Sequence, residues 1–158
     1  MHWARSIGLG LLALLVVIQV VPYGRSHTNP PVTAEPGWDV PETRELAVRA
    51  CFDCHSNETA WPWYTNVAPV LVQRDVDRGR AALNLSESAR PAEEADEAAE
   101  TVREGEMPPR PYTLIHPDAR LTDGELQRLA AGLAATLGRD GGSGDEDDGD
   151  DEHGEGDD

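Results

Sequence analysis

Both cysteines of this 158-residue chain stand in one five-residue string, Cys51-Phe52-Asp53-Cys54-His55. Two thiols cannot make a multi-bridge disulfide scaffold. Nor can they make a four-thiolate zinc or iron–sulfur site within one chain. What the string does match is C-x-x-C-H, the attachment signature of c-type haem. On one helical turn both sulfurs project to the same side, placed for thioether bonds to two vinyl groups. His55, next in line, then reaches the iron as proximal axial ligand. The expected cofactor is one covalently attached haem c per chain. Three other uses stay open. A thioredoxin-like dithiol wants a strand–helix setting. A zinc site would have to recruit a ligand such as His116. A plain disulfide would give His55 no task.

A low-spin haem iron takes a second axial ligand, usually Met or His. Met107 is the one methionine beyond the initiator, and it lies in Gly105-Glu106-Met107-Pro108-Pro109-Arg110. The two prolines predict an extended, stiff segment suited to holding a thioether over a haem face. Met107 is therefore the expected distal ligand and His116 the alternative. His2, His27 and His153 fall in the apolar N-terminus, a linker and the tail. Trp61, Trp63 and Tyr64, in Trp61-Pro62-Trp63-Tyr64, are candidates for a haem-pocket wall. Arg78, Arg80 and Arg110 are candidates for pairing with haem propionates.

Around these residues the chain divides into four parts. Residues 1–24 carry an apolar run, Ile7 to Val21, behind Arg5. The run suits an uncleaved signal anchor better than a cleaved leader, because a small-x-small cleavage site is missing. Residues 25–37 read as a Pro-rich linker holding the body off the membrane. Residues 38–138 read as an all-α body, with no stretch alternating at period two. Asp39 is the expected cap of a helix that has Pro41 in its first turn, runs to about Cys51, and has Leu46, Val48 and Ala50 as its apolar positions. Pro69 opens a second helix with Val72 and Val76, and Pro91 a third that ends near Gly105. Thr122 and Glu125 form a capping box for the last, which presents Leu126, Leu129, Ala130, Leu133 and Leu137 and stops at Gly138.

Residues 139–158 form a tail that is expected to be disordered. The formal net charge is -17, and every one of the 13 positive residues is Arg. Asp140 to Asp158 holds 11 acidic residues and no basic one, which leaves -6 for the rest. A nucleic-acid partner is excluded for want of a basic surface. The tail's Asp145, Asp147 and Gly149 miss the spacing of a calcium loop. Clustered acids of this kind would steer a basic partner.

The chain resembles a family of membrane-anchored haem-binding domain proteins, cytochrome c-like and C-x-x-C-H-containing. The resemblance rests on Ile18-Gln19, Asn29-Pro30-Pro31-Val32, and the run Cys51 to Thr59. It continues in Trp61-Pro62-Trp63-Tyr64, Ala68-Pro69, Asp77-Arg78-Gly79-Arg80 and Leu83-Asn84-Leu85-Ser86. Gly105-Glu106-Met107-Pro108, Tyr112 and His116-Pro117-Asp118-Ala119-Arg120-Leu121 complete it. Val70-Leu71 departs from the pattern, where another Trp-containing helix start is expected, and the acidic tail is extra. The resemblance implies haem binding at Cys51, Cys54 and His55. The expectation is a non-enzymatic electron carrier on the periplasmic side of the cytoplasmic membrane, single-pass, serving membrane-bound or periplasmic redox proteins. A haem-based sensor or small peroxidase, or a zinc or disulfide interaction module, is the alternative.

Overall fold

The computed structural model describes residues 2–87 and 92–141. Among these the regular structure is entirely helical: α1 His2–Val20, α2 Pro41–Ala50, α3 Phe52–His55, α4 Pro69–Ala82, α5 Ala92–Arg103, α6 Arg110–Ile115 and α7 Asp123–Gly141. Single 3₁₀ turns cover Trp63–Asn66 and Pro117–Ala119. The all-α expectation holds. Pro91 and most of the acidic tail, residues 142–158, lie outside the described residues.

The long helix α1 buries none of its side chains and has a mean hydropathy of 1.9 over its best window, long and apolar enough to cross a membrane. The other helices bury one face each. On α2 the core positions are Leu46, Ala47 and Ala50, while Val48 is exposed. Val48 stands about 200° round the helix from Leu46, so the buried stripe passes it by. The core is completed by Phe52, Leu85, Val102 and the α7 stripe Leu129, Ala130, Leu133, Leu137. Gly132 lets α2 lie close on α7, because a Cβ there would overlap Thr43.

Helix ends follow local chemistry with two corrections. The capping box at α7 is made in both directions: Thr122 N donates to Glu125 Oε2 at 2.8 Å and Glu125 N to Thr122 Oγ1 at 3.3 Å. Asp39, expected to cap α2, does not; Val40 occupies that position with no side-chain bond. Asp39 instead binds α7, accepting from Thr136 Oγ1 at 3.2 Å and donating its N–H to the same oxygen at 3.0 Å. Gly138 does not stop α7, which continues to Gly141.

The segment 25–37 is not a free tether. Asn29 Nδ2 donates to the Thr59 carbonyl at 3.0 Å, and its Oδ1 accepts from Trp61 Nε1 and Arg80 Nη2. Asn57 reaches the Pro31 carbonyl at 2.9 Å, and Thr33 N the Ser86 carbonyl at 3.0 Å. Glu35 binds Arg44 and Trp38. The prolines stiffen this strap, and its polar side chains fasten it to the body.

Candidate functional site

Cys51 sits at the junction of α2 and α3, its N–H still bonded to Ala47 O at 2.8 Å and its carbonyl accepting from His55 N at 2.8 Å. One tight turn therefore carries the whole string. Cys51 and His55 lie on nearly the same side of that turn and line one cavity of about 140 Å³. Leu83 and Leu85, Ala98 and Val102, and Leu133 supply much of its apolar wall. Met107 closes another part of the wall. Cys54, about 60° round the helix from Cys51, does not line the cavity. It rests against Gly79 of α4, where a Cβ would overlap the Cys54 carbonyl.

The imidazole is held from behind. His55 Nδ1 stands 3.1 Å from the Leu83 carbonyl, and the His55 carbonyl accepts from Leu85 N at 2.7 Å. A bond from Nδ1 to a carbonyl fixes the tautomer that leaves Nε2 as a lone-pair donor. Burial pushes the His55 pKa down, against the pull of the Leu83 and Gly79 carbonyls, which favours the neutral ring that a metal needs. Both thiols move the other way. Burial, with Cys54 nearby, pushes Cys51 up to about 12, and burial with Asp53 and Asp75 pushes Cys54 up to about 11. A redox dithiol needs a lowered thiol pKa, so the thioredoxin-like alternative finds no support here. The two thiols are unpaired, and no cluster of three or more His, Cys, Asp or Glu occurs among the described residues.

Met107 is fixed by its backbone. Its N–H and that of Glu106 both reach the Thr101 carbonyl at the end of α5, at 3.2 and 3.0 Å. The extended stretch expected after it is short: Pro109 is extended, and α6 starts at once with Pro111 in its first turn. From α6, Tyr112 returns to the haem-signature turn, donating its hydroxyl to Asp53 Oδ2 at 2.7 Å.

The remaining candidates lie elsewhere. His116 does not line the cavity; its ring stacks on Tyr112 at 4.1 Å and its Nε2 is bonded to the Tyr64 hydroxyl. Burial near Asp53 pushes Tyr64 up to about 12, so that hydroxyl keeps its proton. Trp61, Trp63 and Tyr64 also lie outside the cavity wall: Trp61 stacks on His27, and Trp63 is 78% exposed. The wall is mostly aliphatic instead, with Glu97 and Thr101 its polar members. Arg80 is committed to the Ser56 carbonyl and Thr59 Oγ1, and Arg78 and Arg110 are exposed and do not line the cavity themselves. Asp53, Gly79, Leu83 and Tyr112 were not picked out as site residues by sequence. Gly79 could have been flagged as a glycine inside a helix; the Leu83 carbonyl and the Asp53–Tyr112 bond have no local signal.

The donor set fits a haem: a neutral imidazole, a half-buried thiol and a thioether line one largely apolar space, with the second thiol one turn along the same short helix. Against known families, a model described as haem-binding domain matches residues 13–135. Comparison with curated proteins and with solved structures gives no match.

Proposed function

Because the chain belongs to the haem-binding domain family, we propose that it carries one c-type haem and passes single electrons at the outer face of a membrane. Cys51 and Cys54 would supply the thioethers, His55 the proximal ligand and Met107 the distal one. The observation that carries this reading is that Met107, far from Cys51 and His55 in sequence, lines the same largely apolar cavity as they do. Iron held there supplies a one-electron couple. The chain's own part is positional. Leu83 orients His55, Thr101 fixes the backbone of Met107, and the mostly aliphatic wall, with Glu97 and Thr101 its polar members, offers apolar surface to a haem ring. Membrane-bound or periplasmic redox proteins are the partners this role requires.

The test is expression with a c-type maturation system, followed by a denaturing gel stained for haem peroxidase activity. A stained band at the chain's mass is expected, and one that disappears when Cys51 and Cys54 are both changed to Ala. A colourless wild-type band, from a host that matures a control cytochrome, refutes covalent attachment. Carbon monoxide separates electron transfer from the sensor or peroxidase alternative: slow or absent binding to the reduced protein is expected, and rapid binding means an open sixth position.

A further inference from the structure

We propose that the haem-binding body lies directly on the bilayer, with Trp63, Val67 and Leu71 set into the lipid interface beside the exit of α1. This rests on the reading of α1 as a membrane span.

The first ground is length. Helix α1 has 19 residues, all outside the core. At about 1.5 Å per residue it covers about 28 Å, against a hydrocarbon core of about 30 Å. Its last turn therefore surfaces at the interface with no length to spare.

The second ground is that the body begins at that turn. Gln19 Nε2, still inside α1, donates to the Val67 carbonyl at 3.1 Å. Tyr23 bonds Asp77, and Gly24 packs so tightly on Pro69 and Gln73 of α4 that a Cβ would not fit. Residues 19–24 thus fasten the span to the 3₁₀ turn and α4, and Val67 cannot stand away from the depth at which Gln19 emerges.

The third ground is chemistry. Trp63, Val67 and Leu71, four residues apart, are 78%, 51% and 61% exposed. Three large apolar side chains left exposed within the stretch 63–71 suit an interaction surface. Trp63 and the half-exposed Tyr23 are the side chains that favour the headgroup level. Arg25, bonded to Gln19 Oε1 at 2.6 Å, brings a cation to the same level, where phosphates lie. A phospholipid bilayer meets all of these together, and continuity with α1 selects it over a protein partner.

The full chain carrying its haem is placed in nanodiscs of phosphatidylcholine and phosphatidylglycerol, doped with a phospholipid bearing a diazirine near the top of one acyl chain. After irradiation, adducts are mapped by mass spectrometry. Labelling of 63–71 severalfold above that of α5, together with labelling of α1, is the expected result. Adducts on α1 but not on 63–71 overturn the proposal while the span stands, and leave the patch to a protein. Adducts on neither overturn both.

Discussion

At the scale of single residues, the candidate site depends on what holds each side chain as much as on the side chain itself. Cys51, His55 and Met107 stand out in the sequence because their chemistry is rare in this chain, and the fold brings all three to one cavity. The Leu83 carbonyl does not stand out, since any residue has one and only the fold decides which faces His55. Trp61 and Trp63 misled for the converse reason: aromatic bulk in sequence says nothing of direction, and the fold turns Trp63 outward. Met107→Ala tests the distal assignment. With the thioether gone, the reduced protein should bind carbon monoxide quickly. Its midpoint potential should fall by a sizeable part of the ~0.8 V over which axial ligands tune haem iron. Redox titration of wild type and variant checks this; an unchanged midpoint assigns the sixth ligand elsewhere.

At the scale of elements, local signals are legible where no tertiary contact competes: Asp39 bonds Thr136 in place of capping α2, and α7 runs past Gly138. The Thr122–Glu125 box is local and was legible; α6 was missed because Pro108 and Pro109 hid a helix that begins immediately after them. Two predictions belong here. Gly79→Ala would drive a Cβ into the Cys54 carbonyl and push α4 from α3. Overpacking of this kind costs about 1–3 kcal/mol, to be read as a lower urea midpoint with the slope unchanged. The second concerns acid. Bonds from Thr122 N–H, then Arg49, then the Thr122 hydroxyl hold the Glu125 carboxyl down at about 2, against an ordinary 4.5. Its folded pKa is depressed, so its contribution is full above pH 4.5 and is lost as pH falls toward 2. Glu125→Gln should therefore lower Tm near neutrality, and the gap from wild type should close across that window. A gap independent of pH would place the effect in the cap geometry and not in the charge.

At the scale of the whole molecule, composition separates an apolar run, a body and an acidic tail, but the relation of the apolar helix to the body is not legible from it. A proline-rich segment between an apolar run and a folded domain looks like a spacer. Here Asn29 alone bonds Thr59, Trp61 and Arg80, and Arg80 in turn holds the Ser56 carbonyl just past His55. The strap is thus fastened to the loop that follows the haem signature, and its opening is a separate equilibrium from unfolding of the core. Asn29→Ala removes three of its bonds. At about 1 kcal/mol net for each, even one lost bond raises the open fraction roughly fivefold. Arg25 is the first residue of the strap, so trypsin reports the opening directly. Cleavage after Arg25 should speed up at least severalfold in the variant, provided opening is fast relative to cutting. The 26–158 product should keep its haem and its thermal transition, because no cavity residue has changed. Equal cleavage rates would mean that Pro31, Thr33 and Glu35 hold the strap without Asn29. Loss of haem with cleavage would make the strap part of the site.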